Sequence, residues 1–159
     1  MGKREMLGLA GVCILMGGCG LGKLVREAKD VQNPKATGAL EMSGPVAGSV
    51  RFVPESCTSG DREYFLGVDL AAARPGIEVR ALIEPLGTAV VRVRSPAAEG
   101  EGGGMVLFRH DDCRVLQLEV EPSGWRVNEV RDVSGFLELD CDSLEGDHVA
   151  GRIEMNHCH

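Results

Sequence analysis

Cysteine and histidine are the side chains of this 159-residue chain with the widest chemical reach, and both are unevenly placed. His157-Cys158-His159 together with His110-Asp111-Asp112-Cys113 offers the nitrogen, sulfur and oxygen donors that Zn²⁺ accepts. A zinc site needs four converging ligands, however, and this spacing fits no finger, so no metal is expected. Asp140, Asp142, Glu145 and Asp147 crowd a short acidic stretch that could offer oxygens to Ca²⁺. Leu144 and Glu145 fall where an EF-hand loop requires an oxygen ligand and a glycine, which leaves a solvated acidic turn as the expectation. Gly17, Gly22 and Lys23 match part of a phosphate-binding loop, but Leu24 replaces the hydroxyl that would hold Mg²⁺. Glu99-Gly100-Glu101-Gly102-Gly103-Gly104 is rich in glycine, yet its carboxylates would repel phosphate and no helix with a lysine follows. No serine stands in a G-x-S-x-G turn, and the four histidines are scattered, so neither a nucleophile nor a cofactor site is expected.

The remaining reactive residue is Cys19, and its meaning comes from what precedes it. Lys3 and Arg4 make a short basic start, Leu7 to Met16 is apolar apart from small residues, and Met16-Gly17-Gly18-Cys19 ends the run. A basic start, a short apolar core and small residues before a cleavage point are the parts of a secretory signal. The stretch is too short for a transmembrane helix, which needs about 20 apolar residues to cross the hydrocarbon core. Cys13 is the weaker candidate, because cleavage before it would leave only Met6 to Val12 as the apolar core.

Met16 to Cys19 resembles the lipobox of bacterial lipoproteins, with Met16 at a position where leucine is commonest. The resemblance implies that Cys19 receives a diacylglycerol, that residues 1–18 are removed as a signal peptide, and that the new amino terminus is acylated. Gly20 follows the cysteine where aspartate would imply retention at the inner membrane, so the resemblance further implies an outer-membrane lipoprotein of the cell envelope. Three acyl chains on one residue make a permanent anchor, since each buried methylene contributes about 0.8 kcal/mol.

Residues 19–39 are expected to be the lipidated start and a tether. Leu21, Leu24, Val25, Ala28 and Val31 recur at helical spacing before Asn33-Pro34 interrupts them, and Lys23, Arg26, Lys29 and Lys35 outnumber Glu27 and Asp30. A short amphipathic helix or a flexible spacer fits this pattern, and its positive charge favours an anionic lipid surface. Every lysine lies at or before Lys35, and the β domain is placed at 40–159.

Beyond the tether the period of the apolar residues changes to two. Val46–Val53, Tyr64–Leu70, Ile77–Ile83, Ala89–Val93, Met105–Phe108, Val115–Val120, Trp125–Val130, Gly135–Cys141 and Val149–Met155 read as strands. Glu84-Pro85-Leu86-Gly87, Pro122-Ser123-Gly124 and Ser143 to Asp147 read as turns between them. The pattern predicts an all-β domain of eight to nine short strands, an antiparallel β-sandwich or a closed barrel. Val46 to Phe52 is echoed by Val149 to Met155, and a cysteine follows each copy. The echo suggests equivalent strands, either the related edges of two sheets or neighbours closing a barrel.

Four cysteines in an exported domain predict two disulfides. In the last hairpin Cys141 should lie opposite Val149, which leaves Cys158 roughly 30 Å along the strand at about 3.3 Å per residue. A disulfide needs Cα atoms within about 7 Å, so Cys141 with Cys158 is disfavoured. Antiparallel pairing of the strands near Cys113 and Cys141 favours Cys113 with Cys141 and Cys57 with Cys158. The crossed set, Cys57 with Cys141 and Cys113 with Cys158, stays open because the strand neighbours are inferred.

Charge bounds the partners. Lys and Arg number 17 against 24 Asp and Glu, a formal net charge of −7, and removing Lys3, Arg4 and Glu5 with the signal makes the rest one unit more negative. An acidic domain offers no basic face for nucleic acid. The expected function is a lipid-anchored envelope protein that acts by binding or structural support and is not an enzyme, held to the membrane by its anchor and open to a protein partner. An inhibitor or accessory factor of an exported enzyme is the second reading, in the manner of lipoprotein lysozyme inhibitors, with Glu99–Gly104 or Asp140–Asp147 as the contact. An envelope hydrolase is the third.

Overall fold

A computed structural model describes residues 35–46, 48–74, 76–96 and 104–159. Two five-stranded antiparallel sheets pack face to face as a β-sandwich, and neither closes into a barrel. In the first sheet, β1 (Lys35–Ser43), β2 (Val50–Phe52), β8 (Cys113–Val127), β9 (Val130–Asp142) and β10 (His148–Cys158) run in the order β2-β1-β10-β9-β8. The second sheet is a plain meander of β3 (Ser56–Ser59), β4 (Leu66–Ala71), β5 (Glu78–Ile83), β6 (Ala89–Arg94) and β7 (Met105–Arg109). Single 3₁₀ turns at Gly60–Glu63 and His110–Asp112 follow β3 and β7.

The inner faces meet through alternate residues, as the period of two requires. Leu40, Phe52, Leu137, Ile153 and Met155 of the first sheet pack on Val68, Leu70, Val79, Val91 and Phe108 of the second. With few rings available, branched aliphatic side chains fill most of this core, each contributing about 1.5–3 kcal/mol when fully buried. β3 crosses β1, β9 and β10, while β8 meets β4, β5, β6 and β7 in turn. Contacts of one strand with three or four strands of the facing sheet mean that the two strand directions cross steeply, as in orthogonal sandwiches.

The described residues form ten strands where eight or nine are expected, and the differences have local causes. β1 starts at Lys35 inside the stretch assigned to the tether, and it pairs with β10 from Lys35 opposite Asn156 to Ser43 opposite His148. Its first half hides the alternation because Gly38 takes the place of a side chain. At φ +108° a Cβ there would strike the Arg152 carbonyl of β10. β3 holds only Ser56, Cys57, Thr58 and Ser59, too short and polar to read as a strand.

Trp125–Val130 is not a separate strand, and Pro122-Ser123-Gly124 is not a turn. β8 runs through both, bulging between Pro122 and Arg126, and the chain reverses at Asn128 and Glu129 with φ of 50° and 68°. Two successive left-handed residues between Val127 and Val130 make the two-residue hairpin turn that suits strand twist. Pro122 is tolerated because β8 is an edge strand. The echo strands are neither matched edges nor neighbours: β1 separates β2 from β10 within one sheet.

Candidate functional site

The four late cysteines form two disulfides, Cys57 with Cys158 and Cys113 with Cys141. Val149 does lie opposite Cys141, and Cys113 is the direct cross-strand partner of Cys141. The two bonds do different work. Cys113–Cys141 ties edge strand β8 to β9 within one sheet, whereas Cys57–Cys158 joins β3 of one sheet to β10 of the other.

Around Cys158 the chain departs from regular geometry. β10 bulges between Met155 and Cys158, and His157 adopts φ 57°. Its backbone N–H donates to Ser134 Oγ at 3.1 Å, and its Nδ1 lies 3.0 Å from Oδ2 of Asp132. Asp132 is wholly buried; the same oxygen accepts from Ser123 Oγ at 2.6 Å, and Oδ1 has no hydrogen-bond partner among the described residues. Ser123 in turn accepts from the Trp125 N–H at 3.1 Å, which holds the β8 bulge. One carboxylate therefore fastens the β8 bulge to the β10 bulge. A neighbouring acid fastens the hairpin to the other sheet, since Asp61 Oδ2 accepts from the Arg131 N–H at 2.9 Å and lies 3.7 Å from Arg126.

Exposed aromatic groups border this clasp. Tyr64, the only tyrosine, follows the 3₁₀ turn that carries Asp61, is 98% exposed and sits at φ 63°. Trp125, the only tryptophan, is 46% exposed, and Leu66 is 45% exposed. Among the described residues, the four non-glycine residues with left-handed φ, Tyr64, Asn128, Glu129 and His157, all lie on the elements of this clasp. Strained backbone gathers where function or close packing demands it, at about 1–3 kcal/mol per residue. Sequence patterning passes over Asp132 and Asp61 because nothing in Val130 to Ser134 marks an inward acid. The adjacent buried pair Asp132 and Val133 exists only because the strands bulge there.

At the opposite end, the acidic stretch is more than a solvated turn. Asp147 is buried and its Oδ1 accepts from the Val46 N–H at 2.8 Å, while its own N–H donates to Ser143 Oγ at 3.0 Å. Asp140 takes a two-pronged pair of bonds from Arg114 at 2.8 and 2.6 Å, and Asp142 lies 2.8 Å from His148 Nδ1. The Arg114 hydrogen bonds, aided by the Arg114 charge, outweigh partial desolvation and hold the Asp140 carboxyl below the usual range. Arg114 is raised for the reciprocal reason, led by its hydrogen bonds to Asp140.

The residues of the imagined zinc set are dispersed. Cys113 and Cys158 are bound to other cysteines, and His110 borders an open hollow of about 520 Å³ beside β8, lined by Gly87–Ala89, Leu116–Glu119 and Phe136. Among the described residues no three His, Cys, Asp or Glu side chains converge as a metal site. A second open hollow, about 310 Å³, lies between Glu41–Ser43, Ser49–Arg51 and His148. Neither hollow includes the His157–Asp132 pair. Cys13, Cys19, the segment from Leu21 to Val31 and residues 99–103 of the glycine-rich loop lie outside the described residues. Comparison with protein-family models, curated proteins and solved structures finds no match to this chain.

Proposed function

We propose that the protein is a lipid-anchored lipoprotein of the bacterial cell envelope, sorted to the outer membrane, whose sandwich acts by binding or support and not by catalysis. The observation that carries this reading is Met16-Gly17-Gly18-Cys19 closing a short apolar run behind Lys3 and Arg4. Two disulfides in the domain downstream agree with it, because such bonds persist outside the reducing cytoplasm. The non-catalytic part is supported by geometry. His157 is bonded to a carboxylate as in hydrolytic triads, but Ser123 Oγ bonds to that same carboxylate and not to the imidazole. A serine nucleophile needs the histidine as its base, so this order of contacts does not activate it.

The test is Cys19→Ser in the full chain, expressed in a bacterium with an outer membrane. The parent should sediment with membranes, carry acyl mass on Cys19 and lack residues 1–18. The variant should retain its signal or appear soluble, without acyl mass. Identical mass and sedimentation for the two proteins would overturn the proposal.

A further inference from the structure

From the clasp we infer a lipid-docking face: the end of the sandwich bearing Tyr64, Trp125, Arg62 and Arg131 lies against an anionic membrane surface. The inference rests on the anchored reading above and adds an orientation to it. β1 begins at Lys35 opposite Asn156, next to the His157 bulge, so the chain joins the sandwich at the end occupied by the clasp. The β8–β9 hairpin continues past that level, from Pro122 opposite Val133 to the turn at Asn128 and Glu129, and projects at the same end. A lipid on Cys19 would thus draw this end, and not the acidic one, toward the bilayer.

The stretch from Cys19 to Lys35 can reach about 55 Å when extended, so a tether of this length permits contact without enforcing it. Adhesion must come from the face itself. Its exposed side chains are the chain's lone tyrosine and lone tryptophan, with Leu66 beside them. Tyrosine and tryptophan favour the membrane interface because an apolar ring and a polar group are satisfied together there. At this end Lys35, Arg62 and Arg131 have no ion partner among the described residues, Asp61 is engaged by Arg126 and the Arg131 N–H, Glu63 is paired with Arg80, and Glu121 and Glu129 are exposed, so its charges nearly balance.

Charge orients the rest of the molecule. Lys23, Arg26 and Lys29 continue the positive character into the tether, whereas Asp111, Asp112, Asp140, Asp142, Glu145 and Asp147 sit at or near the far end. An anionic surface attracts juxtamembrane basic residues and repels the acidic pole. The chain as a whole is acidic, at −7, so an end where cations and acids nearly balance is set apart from the acidic pole.

Trp125 supplies its own probe. The full chain, purified in detergent, is reconstituted into vesicles of phosphatidylglycerol and phosphatidylethanolamine with brominated acyl chains, and separately into unbrominated vesicles. Mass spectrometry of the same sample reads acylation of Cys19. Docking predicts a blue-shifted Trp125 emission, quenched about twofold or more by bromine, less in phosphatidylcholine and less again in an Arg62→Glu, Arg131→Glu double variant. Tyr64→Gly, which suits the left-handed backbone, should weaken quenching while leaving the fold intact.

An acylated protein whose Trp125 emission ignores bromine overturns docking and leaves the anchor standing. A protein without acyl mass overturns the anchor, and docking is then judged by adding it to preformed vesicles, where unchanged emission counts against it. A blue shift that appears only with envelope proteins, and never with lipid alone, overturns docking in favour of a protein partner.

Discussion

The two ends of the sandwich solve the same problem, holding hairpins against crossed sheets, by different means. At the acidic end exposed ion pairs of Arg114 with Asp140 and Asp142 do it, together with the His148–Asp142 hydrogen bond and the buried Asp147 under the Val46 turn. At the clasp a single buried carboxylate, Asp132, gathers Ser123 and His157, the inter-sheet disulfide lies beside it, and the backbone carries its strained residues. Exposed ion pairs are worth about 0–1 kcal/mol each. The ion pairs of the acidic end are thus small, redundant terms added to the Cys113–Cys141 bond and the buried Asp147, whereas the clasp centres on one carboxylate and the bond between the sheets. Elements under that much local constraint tend to be those whose surface has a task.

The largest contrast is between the disulfides. Cys57–Cys158 closes a loop of 101 residues and Cys113–Cys141 one of 28. Loop-closure entropy then assigns about 4–5 kcal/mol to the first and about 3–4 kcal/mol to the second. Denaturant unfolding of the Cys57→Ala, Cys158→Ala pair should show the greater loss, since this is the disulfide that ties one sheet to the other. Equal midpoints for the two double variants would remove the distinction between the ends. Asp132→Ala is the next step down: it strips Ser123 and His157 of their shared acceptor and should cost about 1–3 kcal/mol. Arg114→Ala, at the other end, should cost clearly less than Asp132→Ala, because its ion pairs are exposed. A reversal of that order would mean that the clasp is not where local stability is concentrated.

Much of this architecture is legible in sequence because alternation is a direct consequence of a one-sided sheet. Leu137, Leu139 and Cys141 against Val149 and Ile153 determine both the hairpin register and the cysteine geometry, and the structure has the same register. Where side chains do not alternate, the signal fails for physical reasons. Lys35 to Ala39 is a strand held by β10 through its backbone, with Gly38 closely approaching the partner carbonyl. Ser56 to Ser59 gains its place from the disulfide and the crossing of sheets, which are long-range facts. The clasp is invisible for the same reason: Asp132, Ser123, Asp61 and His157 come from four separate stretches and meet only because two strands bulge. Cys19 is the reverse case, since the lipid anchor proposed for it is argued wholly from the residues beside it.

The smallest effect expected is one of acidity, and it should belong to the acidic end. Asp140 has its folded carboxyl held below the unfolded value of about 3.9 by Arg114, so it binds its proton more weakly when folded. Such a group contributes stability that is fully present above the unfolded value and disappears as pH falls through the folded one. Unfolding of the parent should therefore become easier below about pH 4. Asp140→Asn should be less stable than the parent at neutral pH, and the difference should shrink as pH falls through that window. Because the group is exposed, the effect should also diminish at high salt, where screening shortens the reach of each charge to about 3 Å at 1 M. A parent-to-variant difference that is unchanged between pH 6 and pH 2 would show that the Arg114 pair contributes nothing through Asp140. The acidic end would then rest on Asp147 and the Cys113–Cys141 bond alone.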